Sequence, residues 1–138
     1  MTGTALIKKW EGLKLDAYIC PAGKPTIGYG HTKGVHLGMS ISVEEAEKFL
    51  EEDMHEAEKG IKKLVKVDLT ENQLGALISF VFNLGLGNFA KSTLLKLLNQ
   101  GKFMEASNEF PRWNKVNGAT STGLTNRRLE EKALFNKQ

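Results

Sequence analysis

A chain of 138 residues that is 41% hydrophobic and 25% charged has the size and composition of one folded domain, not of a disordered segment. Its apolar runs fall short of the ~20 residues that cross a bilayer, and its N-terminal stretch turns polar too early for a signal peptide. We therefore expect a protein that starts in the cytoplasm, unless a targeting segment was removed, and that does not insert stably into a membrane. Its single cysteine excludes an internal disulfide.

The net charge of +3 conceals a strong asymmetry. Residues 41–58 carry eight acidic side chains and one lysine, so the rest of the chain has a net charge of +10. A basic remainder can approach nucleic acid, anionic lipid or an anionic cell wall, and it also fits two differently charged solvated faces. Because no helix carries interleaved base-reading side chains, we expect no nucleic-acid partner.

The N-terminal third predicts a short helix followed by a β-hairpin. Residues 2–10 have helical periodicity, and Gly12 is a plausible stop that leaves Glu11 at the helix end. Residues 13–20 then alternate strictly, which is typical of a half-buried strand. The apolar side of this strand consists of Leu13, Leu15, Ala17 and Ile19. A turn at 21–24, a second strand at 25–32 and a third short strand at 35–37 complete a small antiparallel sheet.

The rest of the chain predicts amphipathic helices. Capping boxes at Ser42 and Thr70 open two of them, and the second is apolar almost all round, which indicates a buried central helix. Shorter helices follow at 92–100 and 103–110, a polar loop spans 114–123, and a last helix begins at Thr125 or Asn126. The predicted fold class is α+β, with a small β lobe, a larger helical lobe and a ligand cleft between them.

Unusual chemistry is concentrated in residues 10–32, which contain a carboxylic acid (Glu11), a thiol (Cys20) and a hydroxyl (Thr26). A partly desolvated acid can protonate a leaving oxygen while an opposing group activates water or attacks a sugar carbon. Paired carboxylates normally do this in glycoside hydrolysis, whereas the second group here is a thiol. Asp16 shares the strand face of Cys20 but lies ~13 Å along the strand, too far to take its position. From the residues alone, a cysteine that merely packs at a hairpin is the simpler interpretation.

Cysteine–histidine chemistry is a further alternative, either as a hydrolase pair or as a metal site. It would use Cys20 with His31, His36 or His55, but none of these spacings matches a zinc motif. We therefore expect no metal and no cofactor, and we expect His31 to be a structural residue near the end of the sheet.

The stretch WEGLKLDAYICPAGKPTIGYGHT closely resembles the active-site segment of the bacteriophage-type lysozymes, or endolysins, of glycoside hydrolase family 24. The family's pattern of Glu, eight residues, Asp or Cys, five residues and Thr is met by Glu11, Cys20 and Thr26. The resemblance continues through TENQLGALISFVFNLGLGNFAKSTLLKLLNQG and GLTNRRLEE, so it covers nearly the whole chain.

The resemblance implies a single lysozyme-like domain over residues 1–138. Its β lobe would span about 12–40, a connecting helix about 42–61, and the helical lobe about 70–138 together with the helix at 2–11. The active-site cleft would lie between the lobes.

The resemblance also implies muramidase activity, the hydrolysis of the β-1,4 bond between N-acetylmuramic acid and N-acetylglucosamine in peptidoglycan. Glu11 would be the general acid, and Thr26 would help to hold the attacking water or the opposing catalytic group. Arg127 would restrain Glu11 as its ion-pair partner, the alternative being an arginine on a helix surface. The implied glycan-contacting residues are Thr32, Phe82 and Ser92, although Thr32 differs from the leucine of some members.

The role of Cys20 is the open question, because many members carry aspartate at this position. An ordinary thiol titrates near ~8.5 and is mostly protonated at neutral pH. Cys20 could be a base, a nucleophile or a bystander, so inversion and retention both stay open.

The expected partner is bacterial peptidoglycan, bound by a monomer. A phage version would collect in the host cytoplasm before release and would need a holin to reach the cell wall. The alternative is a non-catalytic glycan-binding protein with the same fold.

Overall fold

The computed structural model describes residues 3–137. Its elements in chain order are α1 (Thr4–Glu11), β1 (Lys14–Ile19), β2 (Pro25–Gly28), α2 (Val43–Leu64), α3 (Glu71–Leu84), α4 (Leu86–Ala90), α5 (Thr93–Asn99), α6 (Phe103–Ser107), a 3₁₀ helix (Phe110–Arg112), β3 (Lys115–Val116), β4 (Ala119–Thr120) and α7 (Thr122–Phe135). The predicted α+β class is confirmed. Packing divides the chain into two compact units, one formed by residues 7–56 and the other by the described residues on either side.

The unit of residues 7–56 contains the predicted hairpin. β1 and β2 pair antiparallel, with Tyr18 opposite Thr26 and an irregularity in the register between Lys14 and Tyr18. The turn is closed by the Gly23 N–H, which donates to the Cys20 carbonyl at 2.8 Å. A small core of buried Ile27, Ile41 and Ala46 lies beneath the sheet, with Ala17 packed against it.

The predicted apolar side of the first strand is wrong for three of its four residues. Leu13 and Leu15 are each 37% exposed and Ile19 is 50% exposed, whereas only Ala17 packs against the core. The register irregularity after Lys14 breaks the strict alternation on which the prediction depended. A two-stranded sheet also offers little surface with which to cover a whole strand face.

The sheet is also smaller than predicted. β2 ends at Gly28, which has a φ of 67°, and the chain turns so that Ile27 and His31 bridge each other. The third strand expected at 35–37 is wrong, since a single bridge between Asp16 and Ser40 takes its place. Residues 39–41, rather than 35–37, lie beside β1 and form backbone hydrogen bonds with it.

The helical predictions are largely confirmed. The Ser42 hydroxyl accepts from the Glu45 N–H while the Glu45 carboxylate accepts from the Ser42 N–H, each at 3.1 Å. Thr70 and Gln73 form the same reciprocal box at the start of α3. Residues 75–81 of α3 are all buried, as expected of the central helix, and α3 packs along α7. Between residues 3 and 137, no helix is both long and apolar enough to span a membrane.

The second unit, residues 3–6 and 57–137, is the helical unit. An aromatic cluster around Phe80 fills its core. The Phe80 ring meets those of Phe110 and Trp113 edge to face, with centroids 5.4 and 5.7 Å apart. Full burial of one such side chain contributes about 1.5–3 kcal/mol to folding. This cluster therefore anchors the packing of α3 against the C-terminal elements.

The C-terminal region differs from the prediction in two places. The helix expected at 103–110 ends at Ser107, and Pro111 lies within the 3₁₀ helix rather than ending a helix before it. The predicted polar loop contains the hairpin β3–β4, whose turn residues Asn117 and Gly118 have φ of 50° and 82°. Asn-Gly is a strong hairpin signal, since both positions tolerate positive φ. Ser121 caps α7, so this helix starts earlier than predicted.

Candidate active site

Glu11 is the last residue of α1 and is half-buried. The helix ends there because Gly12 adopts a φ of 71°, which lets its N–H donate to the Lys8 carbonyl at 3.1 Å. The predicted stop at Gly12 is thereby confirmed. The backbone thus fixes a carboxyl group at a helix end.

Cys20 and Thr26 meet at the closed end of the hairpin. Hydrogen bonds from the Thr26 hydroxyl and then from the Lys24 N–H lower the pKa of the Cys20 thiol, while desolvation opposes them. The Thr26 side chain is buried, and its hydroxyl donates to the Lys24 carbonyl at 2.9 Å. Because a hydroxyl has one hydrogen, Thr26 can donate either to this carbonyl or to the Cys20 sulfur, not to both at once.

Tyr18 is a member of this site that the sequence interpretation missed. It lies directly across the hairpin from Thr26, so the two side chains share a face of the sheet. Burial raises the pKa of the Tyr18 phenol, and the negative charges of Glu11 and Cys20 raise it further. Glu11, Tyr18 and Cys20 therefore share one electrostatic environment. The sequence did carry a signal for Tyr18, because residues two positions apart in a strand, such as Tyr18 and Cys20, lie on the same face.

Asp16, by contrast, is engaged away from the thiol. Its carboxylate accepts a hydrogen bond from the Ser40 hydroxyl, next to the bridge between the two backbones. These contacts agree with its exclusion as a substitute for Cys20.

His31 has the contacts of a structural residue, as expected. It is buried, its Nδ1 lies 2.7 Å from Asp53 Oδ2, and its ring stacks on Phe49 at 4.2 Å. In the described part of the chain, no three His, Cys, Asp or Glu side chains are grouped so that they could hold a metal ion.

A second cluster of charged side chains lies inside the helical unit, where α7 faces α3. Glu131 is fully buried, and its Oε2 accepts from the Ser79 hydroxyl at 2.7 Å and from Arg127 Nε at 3.4 Å. Its Oε1 lies 2.9 Å from Arg128 Nε. Arg127 is 3% exposed, so the alternative of an arginine on a helix surface is wrong.

Burial raises the pKa of the Glu131 carboxyl, whereas the charges of Arg128 and Arg127 and the hydrogen bond from Ser79 lower it. Arg128 is also fully buried, and its guanidinium lies 5.2 Å from the centre of the Phe80 ring. The sequence interpretation missed Glu131, although its spacing of three and four residues from the two arginines is the spacing of helical ion pairs.

The three implied glycan-contacting residues have different surroundings. Thr32 is exposed in the loop after β2, and Phe82 is half-buried on α3. Ser92 is buried and caps α5, accepting from the Leu95 N–H at 3.1 Å and donating to the Phe89 carbonyl at 2.7 Å. Their contacts with a glycan stay a prediction.

Known proteins are similar to this chain, in sequence and in structure, over nearly its whole length. The family model described as phage lysozyme matches residues 8–131. The endolysin of Acyrthosiphon pisum secondary endosymbiont phage 1 is 49% identical, over 96% of this chain and 94% of that protein. The endolysin of Salmonella phage P22 is 41% identical over 96% and 94% of the two chains. Among solved structures, the muramidase domain of SpmX from Asticaccaulis excentricus is similar with a TM-score of 0.91 and 37% identity, covering 99% of this chain and 96% of that one.

Proposed function

Because the chain belongs to the phage lysozyme family, we propose that it is a peptidoglycan hydrolase, and more narrowly a muramidase. The bond cleaved is the β-1,4 linkage between N-acetylmuramic acid and N-acetylglucosamine. The observation that carries the proposal is the match of residues 8–131 to the phage lysozyme family, within which the hairpin places Tyr18 opposite Thr26. An acid and an opposing group in one environment are what glycoside hydrolysis requires.

Glu11 is the general acid in this proposal. Its half-buried carboxyl at the end of α1 donates a proton to the glycosidic oxygen as the bond to the sugar breaks. Arg127 restrains Glu11 as its ion-pair partner. Thr32, Phe82 and Ser92 contact the glycan, and the protein acts as a monomer on bacterial peptidoglycan.

Cys20 takes the position opposite the acid. The hydrogen bond from Thr26 lowers the pKa of the thiol. In this proposal the thiolate form places its negative charge against the oxocarbenium-like transition state. A thiolate that activates a water held by Thr26 gives inversion, whereas a thiolate that attacks the sugar carbon gives a covalent intermediate and retention. The anomer of the first product, measured for wild type and Cys20→Asp, distinguishes the two routes.

The test of the proposal is Glu11→Gln, which removes the acidic proton at almost constant size. We expect lysis of outer-membrane-permeabilised cells to fall about a thousandfold, since general acid catalysis contributes on this order. Circular dichroism and thermal melting should show that the variant is folded. Glu44→Gln, the same change at an exposed position of α2, is the matched control and should lyse at the wild-type rate.

Lysis by Glu11→Gln at the wild-type rate would overturn the assignment. If the wild-type protein sediments with peptidoglycan but releases no reducing ends, the function is glycan binding without catalysis.

A further inference from the structure

Tyr18 carries a hydrogen-bond donor that the protein itself does not use. Its side chain is half-buried on β1 and shares a face of the sheet with Thr26, directly across the hairpin. Within the described residues 3–137, no hydrogen bond joins its hydroxyl to another group. The other tyrosine of the chain, Tyr29, differs in this respect, because its hydroxyl donates to Glu47 Oε1 at 3.3 Å. A phenol that is partly shielded from water usually has a partner for its hydroxyl.

The charged neighbours of Tyr18 do not take this donor. Burial and the negative charges of Glu11 and Cys20 raise the pKa of the phenol, but neither group accepts a hydrogen bond from it. The hydrogen bonds that lower the pKa of the Cys20 thiol come from Thr26 and from backbone groups of the turn, not from Tyr18. Because its pKa is raised, the phenol keeps its proton at neutral pH. The hairpin therefore holds one neutral donor within electrostatic reach of the acid and the thiol.

The acceptor that suits this donor follows from the chemistry of the proposed reaction. A donor to the attacking water would draw electron density from the oxygen that must attack the sugar carbon, so that water is a poor acceptor. The glycan itself offers hydroxyls, which both donate and accept, and acetamido carbonyls, which only accept. A group with a single hydrogen to give matches an acceptor-only carbonyl, and both N-acetylated sugars of the proposed substrate carry one.

We propose that the Tyr18 hydroxyl donates a hydrogen bond to the acetamido carbonyl of the sugar bound beside Cys20 and Thr26, and thereby holds that sugar in place for cleavage. This role rests on the proposed function and deepens it, because it assigns a substrate contact to a residue outside the Glu11, Cys20 and Thr26 pattern. All four residues belong to the unit of residues 7–56. A contact that fixes the sugar relative to the reacting groups contributes to the rate through orientation.

The variant that tests the contact is Tyr18→Phe, which removes the hydroxyl and keeps the ring. We expect kcat/KM for release of reducing ends from solubilised glycan strands to fall about five- to tenfold, as for the loss of one neutral hydrogen bond. The midpoint of urea unfolding should stay at the wild-type value, since no hydrogen bond within the protein is lost. Tyr29→Phe is the matched control, because it deletes the same atom from the other tyrosine, and its kcat/KM should stay within about twofold of wild type.

The identity of the acceptor is tested on the substrate. On glycan strands that have been N-deacetylated, wild type and Tyr18→Phe should differ by less than about twofold, since the carbonyl is gone from both reactions. Acetylation of the same strands with acetic anhydride should restore the full difference. An equal loss on both kinds of strand would overturn the assignment of the carbonyl.

A further measurement separates a contact with the glycan from an effect on the thiol. The rate of Cys20 alkylation by iodoacetamide should have the same pH dependence in Tyr18→Phe as in wild type, because the hydroxyl does not bond the sulfur. A shifted pH dependence would overturn the proposal, since Tyr18 would then act through Cys20.

The outcomes also distinguish this contact from the function on which it rests. Wild-type kcat/KM in Tyr18→Phe overturns the contact while Glu11→Gln is still inactive, and the proposed function then stands without it. In the inactive Glu11→Gln background, Tyr18→Phe should raise the Kd for the acetylated strands severalfold, and an unchanged Kd counts against the contact. An active Glu11→Gln instead removes the proposed function itself.

Discussion

The hairpin around Cys20 and the α7–α3 cluster around Glu131 hold polar groups in opposite ways. At Cys20, the polar contacts come from Thr26, Lys24 and Ala22, all close along the chain, and the thiol is half-buried. At Glu131, the group is fully buried and its partner Ser79 lies 52 positions away. Local backbone contacts can tune a group that water still reaches, whereas buried charge requires tertiary contacts that form only with the fold. We therefore expect changes at the hairpin to alter reactivity and changes at the cluster to alter stability.

The largest expected effect is on the stability of the cluster. Glu131→Gln leaves two buried guanidinium groups without the carboxylate between them, so the free energy of unfolding should fall by about 3–5 kcal/mol. Urea denaturation at neutral pH measures this loss. Cys20→Ser in the hairpin is the comparison variant and should cost less than about 1 kcal/mol. Equal losses in the two variants would break the contrast between the regions.

The second effect is on thiol reactivity in the hairpin. Thr26→Val removes the hydrogen bond that contributes most to lowering the pKa of Cys20, so less thiolate should be present at neutral pH. The rate of alkylation by iodoacetamide should then fall severalfold near neutral pH and approach the wild-type rate at alkaline pH, where both thiols are ionised. Thr122→Val at the exposed start of α7 should leave the rate unchanged. A pH-independent difference would mean that access, rather than ionisation, had changed.

The smallest effect is expected at a half-buried ion pair near the surface, between Lys8 and Glu47. Lys8 Nζ lies 2.7 Å from Glu47 Oε1, and this hydrogen bond lowers the pKa of Glu47 and raises that of Lys8. The pair therefore stabilises the fold at neutral pH and stops doing so as pH falls through the pKa of Glu47. Glu47→Gln should lower the melting temperature slightly at neutral pH, and the difference from wild type should vanish in acid. A difference that persists in acid would assign the effect to packing, with Glu44→Gln as the control.

Features that depend on a few neighbouring residues could be predicted from the sequence. The capping boxes at Ser42 and Thr70, the helix stop at Gly12 and the meeting of Cys20 with Thr26 all arise within about six residues. The β3–β4 hairpin was predicted only as a polar loop. Asn117-Gly118 is a local turn signal, but the short strands on either side lack the alternating apolar residues that mark a hairpin.

Features set by distant contacts could not be predicted. The exposure of Leu15 depends on the register irregularity in β1. The segment that lies beside β1 in place of the predicted third strand is positioned by the contact of Asp16 with Ser40. The burial of Glu131 depends on α3 packing against α7, which no local pattern in α7 reveals. The glycan contacts of Phe82 and Ser92 stay predictions because they depend on a second molecule.

The hydroxyl of Thr26 has a consequence for how the hairpin responds to ionisation. The Lys24 carbonyl accepts two hydrogen bonds, one from this hydroxyl and one from the Cys20 N–H at 3.0 Å. When Cys20 loses its proton, Thr26 can turn its hydrogen toward the sulfur while the backbone hydrogen bond keeps the turn closed. The hairpin therefore changes the direction of one donor without changing its shape. Because the Lys24 carbonyl keeps its hydrogen bond from the backbone, ionisation of the thiol need not disturb the turn.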